Sequence, residues 1–268
     1  MVSPSKALDI FRRLIGPFHL LLVSLSFLPG TIISLLHPLQ LRTLLSPRRL
    51  QSAWFARFWS RVGTDIRTNL RPRVGPLIAQ AHGVVLDIGP GSGEWLSCFD
   101  KSKVERIYGV EPNVGCHGKL REKVKEAGLE GVYVVVPVGV EEIGKWIKKG
   151  GEGKSGLGKG DVDSVVTVFC LCSVSQPKRM IGELCGYLKD GGNWIVFEHV
   201  VTKEKGFIAW YQAFVDLFWP HFIGGCSITR DTVRWLKEAG SWSKVDLVQP
   251  EDEPPYQIIP HIMGVLTK

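Results

Sequence analysis

Val84-Val85-Leu86-Asp87-Ile88-Gly89-Pro90-Gly91-Ser92-Gly93 is the stretch whose reading decides the fold. A short apolar, β-branched run reads as a buried parallel strand. It carries an acid near its tip and is followed by three glycines on alternate positions. Glycines let the backbone turn tightly and approach a ligand where any Cβ would clash. A helix beginning near Glu94 would aim its free N–H groups at the same ligand. The stretch therefore predicts a turn that cradles a flat, polar, nucleotide-like group.

The glycine spacing narrows the ligand. A dinucleotide fingerprint needs G-x-G-x-x-G, with pyrophosphate on the helix N-terminus. Here the pattern is Asp87-x-Gly89-x-Gly91-x-Gly93. An acid inside the turn repels pyrophosphate but accepts hydrogen bonds from a cationic amino group. A second strand, Ile107–Val110, ends in Glu111, about where such folds put the carboxylate that holds both ribose hydroxyls. A strand with a glycine-rich turn that binds nothing would not need this second acid.

Together these features resemble motif I and the acidic motif of class I S-adenosylmethionine-dependent methyltransferases. The resemblance implies a Rossmann-like α/β fold: a mostly parallel seven-stranded sheet with helices on both faces. It implies S-adenosyl-L-methionine as cofactor, held by Asp87, Gly89, Pro90, Gly91, Gly93, Glu111, Pro112 and Asn113. In this fold the backbone at Gly139-Val140 meets the adenine, and Phe169 and Cys170 face the transferred methyl group.

At 268 residues the chain suits one catalytic domain plus an extension. The net charge of +7 resembles a nucleic-acid signal until it is divided by region. Residues 1–80 hold 11 Lys/Arg against Asp9 and Asp65, a net +9, whereas residues 81–268 hold 22 against 24 acids, a net −2. The basic character belongs to the extension, where an arginine-rich segment beside an apolar one suits an anionic membrane surface and no nucleic acid. The six cysteines have no C-x-x-C spacing and read as small buried hydrophobes, with no metal expected. They fit a reduced, cytosol-facing compartment.

Leu14–Leu36 is almost wholly apolar, with Arg12 and Arg13 before it and Arg42, Arg48 and Arg49 after it. Pro29-Gly30 interrupts the run, and Leu14–Leu28 alone is too short to cross ~30 Å at ~1.5 Å per residue. A re-entrant hairpin or an interfacial helix pair is at least as good a reading as a crossing. Arginines on both flanks favour keeping both ends on the cytosolic side. A cleaved signal peptide is the competing account, but no small-x-small site follows cleanly. Between Ser52 and Arg73 aromatic residues alternate with arginines, which suits either a headgroup-level face or a lid over the cofactor. The expected division is an anchor over 1–50, a connecting or lid helix over 51–80, and a catalytic domain over 81–268.

Further on, a helix after Glu111 runs to Gly128, and Val132–Val138 reads as a third strand. Lys148–Gly160 reads as a flexible surface loop and Val162–Val174 as a fourth strand with its exit. Lys178–Leu188 reads as a helix, Lys189–Asn193 as a tight turn and Trp194–Val200 as a fifth strand.

Leu171-Cys172-Ser173-Val174, Glu198-His199-Val200, Trp210-x-Gln212, Asp216-x-x-Trp219, Gly225-Cys226-x-x-Thr229-Arg230 and Pro260-His261-Ile262-x-Gly264 narrow the match. They resemble the methyltransferase-like protein 7 family, membrane-associated thiol S-methyltransferases of the endoplasmic reticulum and lipid droplets. The resemblance runs at motif level from about Ser52 to the end. The chain departs from the family at Gly224, where an acid usually stands, and at Pro90, where a cysteine does. The family implies a small, fairly lipophilic acceptor, most readily a thiol, at a membrane on the cytosolic face of the reticulum or a droplet. Cys172, Ser173, Trp210, Trp219, Cys226 and His261 are the candidate acceptor-pocket residues.

Methyl transfer from a sulfonium is an in-line displacement, so the protein chiefly has to align the reactants and exclude water. A thiol needs little help from a base. A hydroxyl or amine acceptor needs one, and His199, His221 or His261 would have to supply it or serve only as structural hydrogen-bonders. His199 is the tentative base or orienter. The alternatives are an O- or N-methyltransferase of lipid or secondary-metabolite biosynthesis, and a non-catalytic cofactor-binding scaffold.

Overall fold

The apolar run after Gly83 sits inside a seven-stranded sheet, as a strand buried on both faces must. The computed structural model describes residues 4–149 and 157–268. The N-terminal part is helical: α1 (Pro4–Ser26), α2 (Leu28–Leu35), α3 (Leu41–Leu44) and α4 (Pro47–Ile78). Alternation follows, with β1 (Gly83–Ile88), β2 (Val104–Val110), α5 (His117–Glu126), β3 (Tyr133–Val136), α6 (Ile143–Lys148), β4 (Val162–Val168), α7 (Pro177–Tyr187) and β5 (Leu188–His199). Then come α8 (Phe207–Asp216), α9 (Trp219–Phe222), α10 (Thr232–Glu238), β6 (Lys244–Val248) and β7 (His261–Thr267). The strand order is β3-β2-β1-β4-β5-β7-β6, parallel except for β7, which runs antiparallel to both neighbours. This is the expected Rossmann-like α/β fold with helices on both faces.

Side-chain alternation along the strands divides the core in two. Leu86 and Ile88 pack with Met180, Ile181, Leu184 and Leu236 of α7 and α10. Val85 packs on the other face with Val74 and Ile78 of α4 and Leu120 of α5. A third cluster covers the carboxyl ends of the strands and joins α1, α4, α8 and α9 through Leu21, Phe58, Val215 and Trp219. Phe58 is fully buried there, worth about 1.5–3 kcal/mol on its own.

Two local expectations are corrected and one open alternative is narrowed. No α-helix follows the glycine turn, because Leu96–Cys98 forms only a 3-10 turn. Trp95, Leu96 and Phe99 are all buried against the sheet, and the chain must enter β2 at Val104. The tight turn at 189–193 lies inside β5 as a bulge: Val162 pairs with Leu188 and Ser164 with Asn193, so extra residues loop out around Gly191 at φ +79°. Finally, Pro29-Gly30 makes no hairpin. Only Phe27 separates α1 from α2, and it keeps helical dihedrals of φ −84° and ψ −17°, since a proline in the first turn of a helix gives up no bond it would have made. The loop expected over 148–160 falls outside the described residues from 150 to 156.

The N-terminal helices do not stand apart. The Ser24 hydroxyl donates to the Phe222 carbonyl at 2.7 Å, Trp54 Nε1 donates to the Ser24 carbonyl at 2.7 Å, and the Tyr211 hydroxyl donates to the Leu14 carbonyl at 2.8 Å. One side of α1 is thereby stitched to the domain, while Leu8, Phe11, Ile15, Leu22 and Leu25 remain exposed on the other.

Candidate functional site

The three glycines after β1 all adopt positive φ: Gly89 +67°, Gly91 +60° and Gly93 +85°. All three also lie where a side chain has no room, Gly93 because a Cβ would meet Lys123 Cβ at 2.8 Å. A Cβ on Gly89 would come within 2.6 Å of Cys170 Sγ, and one on Gly91 within 2.9 Å of Trp59 Nε1. The backbone is bare where it faces a cavity of about 620 Å³, within the range of ligand pockets.

Glu111, just past β2, ties this turn to the next one. Its Oε2 accepts from Gly91 N at 2.9 Å and its Oε1 from Asn113 N at 2.8 Å. A carboxylate oxygen has two lone pairs, so each oxygen can still accept from a vicinal diol. Burial pushes the Glu111 carboxyl above its ordinary range, and the two N–H groups oppose that. Asn113 fixes its own loop by accepting from Gly115 N and anchors it to α4 by donating to the Ser52 carbonyl at 2.9 Å.

Asp87 does not reach the cavity. It shares a sheet face with Val85, and its Oδ2 accepts from the buried Tyr133 hydroxyl at 2.9 Å. Burial raises the Asp87 carboxyl to about 7; Glu111 nearby adds to the rise and the tyrosine opposes it. Gly109 makes room for this pair, because a Cβ there would lie 2.0 Å from the Tyr133 oxygen. Asp87 therefore stands behind the turn, and Gly93 likewise stands off the wall.

Glu94, absent from the residues expected at the site, reaches the wall together with Glu111. It accepts from Trp59 Nε1 at 2.9 Å, and burial raises it to about 7. An acid raised this way holds its proton below that pH, so folding loses stability as pH rises toward 7. A cationic ligand gains only from the ionised form. Affinity for a sulfonium ligand should therefore rise severalfold as pH increases through about 7, and Glu94→Gln should flatten that rise in calorimetric titrations.

One face of α4 closes part of the cavity wall. Gln51, Phe55, Trp59, Ile66 and Leu70 form one helical stripe on that wall, while Arg57, Arg61 and Arg71 are exposed. Gly224, at φ +55°, lets α4 pack closely, since a Cβ there would sit 2.7 Å from the Phe55 ring.

The opposite wall is the loop after β4. Phe169 holds φ +56°, which costs a non-glycine residue about 1–2 kcal/mol. Glu198 holds the loop in place: its Oε1 accepts from Cys170 N and Leu171 N, each at 3.0 Å. Burial raises the Glu198 carboxyl to about 7, the two N–H groups opposing the rise. Arg230 donates to the carbonyls of Leu171 and Val174 at 2.6 Å each. Asp216 accepts from Ser227, Ile228 and Thr229, and buried Gln212 Nε2 donates to the carbonyls of Val200, Ile228 and Ile258. These motif residues are therefore scaffold for the pocket rather than part of its lining.

Pro90, Pro112, Asn113, Gly139, Val140, Phe169 and Cys170 stand on the cavity wall, as do Cys172, Ser173, His199, Trp219, Cys226 and His261. His199 and His261 face each other as the last pair of β5 and β7, their rings 4.9 Å apart. His261 Nδ1 also pairs with Glu253, and burial holds the imidazole below its ordinary value. His199 Nδ1 lies 3.5 Å from Cys226 Sγ, which in turn accepts from Trp219 Nε1 at 3.3 Å. Trp210 does not join them: it is 61% exposed and stacks on Phe214 at the surface, because it lies on the outer side of α8 from buried Gln212 and Val215. His221 is exposed and is not on the wall.

Residues 58–240 match the sequence family described as methyltransferase domain. Human thiol S-methyltransferase TMT1A is 30% identical over 125 residues, covering 46% of this chain and 51% of that protein. Rat thiol S-methyltransferase TMT1B is 34% identical over 122 residues, covering 44% and 48%. The chain thus matches about half the length of these curated relatives. An O-methyltransferase family protein from Burkholderia thailandensis has a like fold, with TM-score 0.58 at 14% identity over 96% of this chain and 71% of that one.

Proposed function

The chain belongs to the methyltransferase-domain family, and from that membership we propose that it methylates a small, lipophilic thiol at a membrane surface, using S-adenosylmethionine. The observation that carries this reading is one cavity whose wall combines Glu94, Glu111 and the bare backbone at Gly89 and Gly91 with the apolar side chains of Phe55, Phe169, Trp219 and Ile223. The cofactor supplies an electrophilic methyl on a sulfonium. The Glu111 oxygens fit its ribose diol, and the acids favour its positive charge. The apolar side chains of the wall bind the acceptor and exclude water, so that the two can meet in line at roughly 3 Å. No residue forms a covalent bond, and the names of TMT1A and TMT1B support sulfur as the attacking atom.

The exposed apolar side of α1 continues through Ile33 (69% exposed) and Leu45 (82% exposed), next to exposed Arg42, Arg48 and Arg49. This combination suits an interfacial anchor on anionic lipid. Because α1 is hydrogen-bonded to the catalytic domain along its length, lying in the interface fits better than crossing it. The assigned division is anchor over 1–50, lid over 51–80 and catalytic domain over 81–268, on the cytosolic face of the endoplasmic reticulum or a lipid droplet. Leu20 of α1 lines the cavity, so a lipophilic acceptor would enter from the membrane side.

His199 on the wall favours a second reading, in which it serves as base for a hydroxyl or amine acceptor. Full-length protein with labelled cofactor and matched thiol, phenol and amine acceptors separates the two. Label on sulfur is expected, at a rate raised by anionic vesicles that also sediment the protein. Label only on oxygen or nitrogen overturns the thiol reading.

A further inference from the structure

One cluster on the cavity wall has a chemistry that methyl-donor binding does not call for. Cys172, His199 and Cys226 come from three different segments, yet their ligand atoms all lie within 4.8 Å of one another. Both cysteines are buried and free of disulfides. We propose that these three residues form a site for one Zn²⁺ ion, whose fourth position opens into the cavity and takes the acceptor sulfur. The metal site stands on its own geometry; only the sulfur-binding half rests on the thiol reading.

One pair of the three already has the spacing the ion requires. Tetrahedral zinc with Zn–S near 2.3 Å and Zn–N near 2.0–2.1 Å places its sulfur and nitrogen ligands about 3.6 Å apart. Cys226 Sγ and His199 Nδ1 are 3.5 Å apart. Two thiolates and an imidazole suit zinc rather than magnesium or calcium, and three protein ligands with one open position are the pattern of a reactive zinc site. The ligands sit on held supports. His199 ends β5, Cys226 follows the positive-φ pair Gly224-Gly225 in the loop that Asp216 clamps, and Cys172 lies in the loop that Glu198 and Arg230 hold. Trp219 Nε1 donates to Cys226 Sγ at 3.3 Å, an outer hydrogen bond of the kind that orients and tunes a metal ligand.

The chemistry follows from the fourth position. An acceptor thiol bound there gives its proton to solvent and is held as thiolate at neutral pH. A sulfur lone pair then forms the new bond to the methyl carbon, and the bond from that carbon to the donor sulfur breaks, its electron pair staying on the donor. The thiolate and the sulfonium become two neutral thioethers. A thioether is a poor zinc ligand, so the product leaves.

The test is metal content. Full-length protein is stripped with chelator, reloaded with Zn²⁺ alone and desalted, and the metal per chain is counted. About one zinc per chain is expected, falling at least tenfold in Cys172→Ser, Cys226→Ser and His199→Gln and unchanged in Cys185→Ser. Trp219→Phe should keep the stoichiometry but weaken competition against a chromophoric chelator by about tenfold. Circular dichroism excludes variants that have lost the fold. Co²⁺ loading should give thiolate charge-transfer bands that shift when a thiol acceptor is added. Wild type that retains no metal overturns the site, as does binding indifferent to both cysteines, or recovery of Cys172 and Cys226 as a disulfide that binds nothing once reduced. A cobalt spectrum unmoved by thiols overturns the sulfur-binding half while leaving the methylation reading to its own assay.

Discussion

Glu111→Ala should abolish useful cofactor binding, lowering affinity at least about 100-fold in calorimetric titration and taking turnover down with it. Hydrogen bonds to a charged group are worth about 1.5–3 kcal/mol each, and each 1.4 kcal/mol is tenfold, so losing two to a ribose diol reaches that figure. The substitution also frees Gly91 N and Asn113 N, which the carboxylate now holds at 2.9 and 2.8 Å, so both turns loosen together. Glu111→Gln offers one acceptor oxygen and should fall between the two. The contrast is Asp87→Asn. Asp87 touches Tyr133 and not the cavity, so this change should affect stability more than affinity. Equal affinity losses in the two variants would contradict the placement of Glu111 on the wall and of Asp87 behind it.

That contrast shows where the sequence could be read and where it could not. The β1 run and its glycines were legible, because burial on both faces and positive φ each demand a narrow set of residue types. Glu111 was legible from its place at the tip of the next strand. Asp87, expected among the cofactor-binding residues, stands off the cavity wall, and the alternation that puts it on the Val85 face was already present. The overlooked signal was Gly109, a glycine inside a strand, which marks a close approach and here admits the Tyr133 hydroxyl. Glu94 was missed because the segment after the turn read as a helix, whereas burial of Trp95, Leu96 and Phe99 holds it as a short 3-10 turn. The lid could not be told from a headgroup face, since an aromatic stripe backed by arginines satisfies both. Trp210 and Trp219 looked alike as pocket candidates, and only the packing of α8 and α9 separates the exposed ring from the buried one. The resemblance put Cys172, His199 and Cys226 at one pocket, but their spacing in the chain gave no sign that their ligand atoms lie within 4.8 Å of one another, because loops and strand ends bring them together.

Glu198 offers the second large effect, and it acts through the loop rather than the ligand. Its Oε1 accepts from Cys170 N and Leu171 N, while its Oε2 is buried without a partner among the described residues. Glu198→Ala would leave two buried N–H groups unpaired at about 1–3 kcal/mol each, next to a residue already strained at positive φ. A loss of about 2–5 kcal/mol in chemical denaturation is expected, together with loss of turnover, because the loop carries Phe169, Cys170, Cys172 and Ser173 to the cavity. Glu198→Gln separates hydrogen bonding from charge. It keeps an acceptor for the two N–H groups and never ionises. The wild-type carboxyl, raised to about 7 by burial, binds its proton more tightly folded than unfolded, so its contribution to stability declines as pH rises from the ordinary carboxylate range toward 7 and is then flat. Glu198→Gln lacks that decline and should gain on wild type across the same window. A stability difference independent of pH would mean that the carboxyl stays ionised throughout, with charge rather than a shared proton holding the loop.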